Sequence, residues 1–133
     1  MNDNDLVGAI RGAIFEVFKE LGPGLLESAY EEALFLELKL RGLAPERQVE
    51  MPIYYKSEMI STKLRIDLLV NRRIIIELKA VESGLQAVNF RQVQTYLRAA
   101  NLHRGILVNF NTDFVGPDDI VTVFNKYCTC KNS

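Results

Sequence analysis

Apolar residues first recur three and four apart, at Leu6, Ile10, Ala13, Ile14, Val17, Phe18 and Leu21. That period predicts a helix with one buried face. The run LGPG, Leu21 to Gly24, interrupts it, and Pro23 suits the first turn of a second helix, where its missing amide proton has no helical acceptor to lose. The second helix is expected from about Leu25 to Leu40, with an inner stripe of Leu26, Ala29, Tyr30, Ala33, Leu34 and Leu38 and with Gly42 ending it. Phe35, Leu36 and Leu40 widen the stripe and predict cover on more than one side.

The period then shortens to two. Gln48 to Tyr55 alternates loosely, and Pro52 marks an edge strand or a break. Lys63 to Val70 alternates cleanly, with Leu64, Ile66, Leu68 and Val70 on one face and Lys63, Arg65 and Asp67 on the other. Ile74 to Ala80 forms the next strand, placing Ile74, Ile76 and Leu78 toward the core and Ile75, Glu77 and Lys79 opposite. A two-residue turn at Asn71 and Arg72 would pair Asp67 with Ile76 and put Glu77 on the other face. A three-residue loop, Asn71 to Arg73, pairs Val70 with Ile74, Leu68 with Ile76 and Asp67 with Glu77, and keeps the apolar set together.

Helical spacing returns over Ala87 to Ala100, followed by a continuous apolar strand at Gly105 to Phe110. Asn111 to Pro117 reads as a loop and Ile120 to Phe124 as a last strand. A helical crossover between two strands implies parallel pairing. The expected architecture is therefore α/β, a central mixed sheet flanked by helices.

Composition adds bounds. At 133 residues, 48% hydrophobic and 25% charged, the chain is an ordinary globular one, expected to be a single domain. Its net charge of -1 gives no support for a nucleic-acid partner, so any basic surface must be local. No apolar run is long enough for a membrane span, and the acidic start MNDNDLVG lacks a secretory signal, which leads us to expect a cytoplasmic protein. Cys128 and Cys130 are the two cysteines and His103 the one histidine, too few for a zinc site, so two reduced thiols are expected.

The chemistry lies in Asp67, Glu77 and Lys79. Two carboxylates side by side repel, and away from water one keeps its proton unless a cation compensates. Mg²⁺ prefers oxygen ligands, polarises a phosphodiester and acidifies a water. Lys79, two residues from Glu77 on the same strand face, would steady charge on a phosphate. The competing reading is a solvated sheet face in which these residues, with Lys63 and Arg65, form cross-strand ion pairs.

The strings RIDLLV and, ten residues after the Asp, IIIELKA resemble the D-x(n)-(D/E)-x-K core of the PD-(D/E)XK nuclease superfamily. GLLESAY, Gly24 to Tyr30, resembles the signature of its GxxExxY branch. The resemblance runs from the first helix through LVNF and implies a restriction-endonuclease-like fold. It implies a site in which Asp67, Glu77 and the backbone carbonyl of Leu78 hold the metal, Mg²⁺ with Mn²⁺ able to substitute. Glu27 joins them from the early helix, and Lys79 is the catalytic lysine. Gln92 and Tyr96 match a Q-x-x-x-Y pattern and, four apart on one helix face, flank the site. The substrate implied is DNA or RNA. Arg91, Arg98 and Arg104 form a candidate phosphate-contacting stripe, against the plainer reading of a solvated helix face; Arg72 and Arg73 at the hairpin tip carry the same two readings. The rival to a metal-dependent nuclease is a catalytically silent protein of the same fold that binds nucleic acid or a protein partner, a homodimer included.

Overall fold

The computed structural model describes residues 1–127, so Cys128 and Cys130 lie outside the described residues. Helices α1 (Asp3–Leu21) and α2 (Glu27–Leu40) are followed by strands β1 (Pro45–Tyr55), β2 (Glu58–Val70) and β3 (Ile74–Lys79). Helix α3 (Ala87–Ala100) then crosses to β4 (Arg104–Asn109), and β5 (Ile120–Phe124) returns beside it. The sheet order is β1-β2-β3-β4-β5, antiparallel except for the parallel β3–β4 pair that the α3 crossover enforces. This is the α/β restriction-endonuclease-like arrangement, a mixed sheet with α1 and α2 on one face and α3 on the other. No helix among the described residues is long and apolar enough to cross a membrane.

The helical stripes pack largely where their period puts them. Leu6, Ile10, Ala13, Ile14 and Val17 of α1 and Tyr30, Leu34 and Leu38 of α2 meet Ile74, Ile76 and Leu78 of β3. On the opposite face Val93, Tyr96 and Leu97 of α3 cover Ile75, Leu107 and Val123. Gly42 ends α2 in the left-handed region at φ 80°, with the Leu43 amide bonded to the Leu38 carbonyl.

Expectations for three parts of the chain need correction. Pro23 is not in a first helical turn, because α2 starts only at Glu27. The buried Tyr30 hydroxyl donates to the Gly22 carbonyl and accepts from the Leu25 amide at 3.1 Å, holding Gly22 to Leu25 as a non-helical link. Leu26, at the cap of α2, is then 78% exposed instead of inner, and Leu36 and Leu40 are also exposed, so α2 is covered on one side only. The β1–β2 hairpin is also longer than its alternation suggests. Lys56 and Ser57 both take positive φ, giving a two-residue turn closed by the Tyr55–Glu58 pair. Lys-Ser carries no glycine or asparagine to announce such a turn.

The third correction concerns β2. Leu64 and Ile66 pack with the α3 cluster, whereas Leu68 and Val70 pack with α1 and α2, so the strand exchanges faces at Asp67. The partner strand shows why. Arg47 and Gln48 are neighbours in β1, and side chains of neighbouring strand residues ordinarily point to opposite faces. Here both bond the buried Glu31 of α2, Arg47 Nε at 3.1 Å and Gln48 Nε2 at 2.6 Å. Gln48 achieves this with a left-handed φ of 51°, between the Arg47–Leu68 and Val49–Ile66 pairs, where Asp67 lies on β2.

Candidate active site

The exchange of faces opens the sheet where the chemistry is. The β2–β3 ladder pairs Val70 with Ile74, Leu69 with Ile75 and Leu68 with Ile76, the register of the three-residue loop, in which Asn71 and Arg72 are left-handed. It then stops. One residue further, Asp67 accepts a hydrogen bond from the Leu78 amide through Oδ2 at 3.0 Å, side chain replacing backbone. Along a strand, successive carbonyls point to opposite neighbours. The Lys79 carbonyl bonds the Phe110 amide on the β4 side. The Leu78 carbonyl therefore faces the opening beside Asp67.

Glu77 is 3% exposed and within hydrogen-bonding range of Asp67. Burial first, and the Asp67 carboxylate second, push its pKa up from the ordinary 4.5 to about 8, despite the opposing pull of Lys79. Lys79 Nζ lies 3.5 Å from Glu77 Oε2. Glu77 Oε1 is buried and finds no donor among the described residues. Two carboxylate oxygens can bond each other only if one carries a proton, so this pair needs either a proton or a cation.

Glu27 opens α2 on the solvent-exposed rim of the same site. Partial burial and then Asp67 raise its pKa, Lys79 opposes, and Glu31 adds to the rise. It is thus in electrostatic reach of Asp67 and Lys79, but it makes no hydrogen bond to a described residue. From the α3 side, Gln92 Nε2 donates to the Tyr96 hydroxyl at 3.0 Å. The Tyr96 proton is left free to point elsewhere. Burial and the Glu77 charge hold that hydroxyl above its ordinary pKa, with Gln92 opposing and Asp67 adding a smaller rise.

The structure therefore gathers Asp67, Glu77, Leu78 and Lys79, with Glu27 at the rim and Gln92–Tyr96 alongside. The arginines do not gather with them. Arg91 and Arg98 are exposed on the side of α3 away from Tyr96. Arg104 does not join them: it is buried, bonded to Asn4 Oδ1 at 2.6 Å and lying over the Phe124 ring. At the hairpin tip Arg73 is tied to Asp3 and to the Met1 carbonyl, and Arg72 to Glu46.

Two residues were missed in the sequence. Asn109, 1% exposed, stands in register with Lys79. Its side chain bonds both the amide and the carbonyl of Val81, at 3.0 and 2.9 Å, fixing the chain just past the lysine. Phe110 stacks on Tyr30 with centroids 4.5 Å apart. An asparagine inside the apolar run GILVNF was the available signal, since a buried amide demands partners.

A family model described as the PD-(D/E)XK nuclease superfamily matches residues 4–120. The chain belongs to that superfamily. Among solved structures, one described as "Crystal structure of SSO0001" is similar at a TM-score of 0.58 and 24% identity, over 74% of this chain and 50% of that one. That likeness speaks to the fold alone, and the chain spans half the length of that protein. No curated protein matches the sequence. Among the described residues no three acidic, histidine or cysteine side chains form a preformed metal cage. The donor set still fits a hard divalent cation: two close carboxylates, one with an unpartnered buried oxygen, beside a backbone carbonyl facing the same opening.

Proposed function

We propose that this member of the PD-(D/E)XK nuclease superfamily is a metal-dependent nuclease that hydrolyses phosphodiester bonds of DNA or RNA. The observation that carries the reading is the Asp67–Glu77 pair, with Glu77 buried, one of its carboxylate oxygens unsatisfied among the described residues, and Lys79 at 3.5 Å. Burial and the Asp67 charge raise the Glu77 pKa to about 8, a perturbation of the kind that clusters at functional sites.

Asp67, Glu77 and the Leu78 carbonyl would hold Mg²⁺ or Mn²⁺, with Glu27 drawn in from the rim. The ion supplies charge stabilisation at a phosphoryl oxygen and a more acidic water. The water oxygen bonds to phosphorus, the bond to one ester oxygen breaks, and that oxygen takes up a proton. Lys79, protonated and not a ligand, orients the water or neutralises charge building on the phosphoryl oxygens. Tyr96, its hydroxyl held by Gln92, lies in electrostatic reach of Glu77 and Asp67. The GLLESAY segment is the ground for placing the chain in the GxxExxY branch.

A second reading, a catalytically silent protein of this fold that docks a protein partner or a second copy, is favoured by Leu26, Leu36 and Leu40 on α2, all more than half exposed. The deciding experiment is a cleavage assay of purified protein on single-stranded and duplex DNA and RNA with Mg²⁺ or Mn²⁺, with Asp67→Ala as control. Metal-dependent cleavage lost in the variant supports the nuclease. No cleavage of any form by the wild type moves the assignment to the docking protein.

A further inference from the structure

β1 and β2 outrun the rest of the sheet. From Glu58 to Ile66, β2 pairs with β1 alone, and the two strands form a ribbon that β3 does not support. Its tip exposes Tyr54 and Tyr55, at 63% and 64%, with Met59 and Ile60 beside them. Between ribbon and α3 lies a groove of about 550 Å³ lined by Pro52, Ile53, Tyr54, Leu64, Thr95 and Arg98. Its walls are largely apolar, with one aromatic ring and one guanidinium. The Arg98 guanidinium lies 4.6 Å from the centroid of the Tyr127 ring.

Charge on the helical wall of the groove points to an anionic occupant. The ribbon carries Lys56, Lys63 and Arg65 against Glu50 and Glu58, and Lys63 and Arg65 alternate with the groove-lining Leu64, on the other face of the strand. Helix α3 carries Arg91 and Arg98 and no carboxylate. Ribbon and helix form the two walls of the groove. Both also lead to the site. Thr95 lies three residues from Gln92 on α3, hence on the adjoining helix surface. Leu64 lies three residues from Asp67 on β2, roughly 10 Å along the strand.

We propose that the ribbon and this groove bind single-stranded nucleic acid, an unpaired base against Tyr54 and a phosphate on Arg98, and lead the strand to Asp67, Glu77 and Lys79. The proposal rests on the nuclease reading for its destination but not for its chemistry. Tyrosines interleaved with cations offer stacking to any base that has left its partner, which is how sequence-tolerant single-strand sites are built. A duplex keeps its base faces covered and gives a lone tyrosine nothing to stack on.

The test is fluorescence anisotropy in EDTA, so that no cleavage intervenes, with labelled thymidine and uridine oligomers of roughly 12 nucleotides and a duplex of equal length. The wild type binds the single strands at least about tenfold more tightly than the duplex. Tyr54→Ala and Arg98→Ala each lose about tenfold, while Tyr54→Phe, which keeps the ring, stays near wild type. Both side chains are exposed, so unchanged melting temperatures certify the variants as folded. Equal or tighter duplex binding overturns the proposal, as does a Tyr54→Ala protein that binds like wild type. Single-strand binding without cleavage in Mg²⁺ or Mn²⁺ keeps the groove and removes the nuclease. Duplex cleavage without single-strand binding removes the groove and keeps the nuclease.

Discussion

Asp67 and Glu77 belong to adjacent strands whose backbones diverge just before the two residues would pair, and their carboxylates meet within hydrogen-bonding range in the gap. Glu77 ionises near its ordinary 4.5 in an unfolded chain but only at about 8 in the fold. Between those values the folded protein holds the extra proton, so raising the pH through that window costs stability. In EDTA the melting temperature should fall from pH 5 to pH 8 and then level off with respect to this group, for a loss on the order of a few kcal/mol. Glu77→Gln, which mimics the protonated form, should flatten that slope and melt higher than wild type at pH 8. A variant with the wild-type slope would assign the pH dependence to other groups.

A divalent ion should take the place of that proton. Mn²⁺ at pH 7 should raise the melting temperature, by mass action on the folded state, and should release protons as it binds. Asp67→Ala should abolish the shift. Glu27→Ala should weaken affinity only about tenfold, as expected for a rim carboxylate that is not part of the central pair. Calorimetric titration separates these cases, and equal affinity in wild type and Glu27→Ala removes Glu27 from the site.

How Glu27 comes to stand there makes a third prediction. Tyr30 stacks on Phe110 at the end of β4, and its hydroxyl ties the Gly22–Leu25 link that delivers Glu27 to the rim. Tyr30→Phe keeps the stack and loses both hydrogen bonds, which should cost about 1 to 3 kcal/mol in urea unfolding. Its metal affinity should drop to that of Glu27→Ala, because the link is no longer fixed. Tyr30→Ala should lose a further few kcal/mol through the cavity. A Tyr30→Phe protein with wild-type metal affinity would show that the link holds its shape without the hydroxyl.

Period and register carried much of this in the sequence. The helix of residues 87–100, the parallel crossover and the three-residue hairpin loop follow from spacing, because a slip in any of them would expose apolar side chains. The exchange of faces at Asp67 does not. It is imposed from outside β2, by Glu31 drawing both Arg47 and Gln48 to one side, and no alternation within β2 records it. The same exchange ends the β2–β3 ladder and frees the Leu78 amide for Asp67. Arg104 was misread for a related reason: sequence proximity to Arg98 said nothing of Asn4 and Phe124, which bury it.

The last prediction concerns Lys79. Its ammonium lies 3.5 Å from Glu77 Oε2, with 19% of the side chain exposed, on the strand that carries Glu77 and Leu78. A protonated amine is no metal ligand, yet at this distance it lies beside any phosphate drawn to the carboxylates. Ground-state binding needs it little, because the cation already attracts the substrate. Charge accumulating on the phosphoryl oxygens needs it more. Lys79→Ala should therefore lower turnover about 100- to 1,000-fold, or about 3 to 4 kcal/mol, with metal affinity near wild type. Removing the ammonium also removes a group that lowers the Glu77 pKa, so the metal-free variant should hold its Glu77 proton to higher pH and require a higher pH for full metal binding. Lys79→Arg keeps the charge and should recover part of the rate, though a guanidinium is a poor copy of a compact ammonium. Single-turnover rates at saturating Mn²⁺ on one cleaved substrate, across pH 6 to 9, decide the matter. Equal rates for wild type and Lys79→Ala at the pH optimum of each would reduce the lysine to a partner of Glu77.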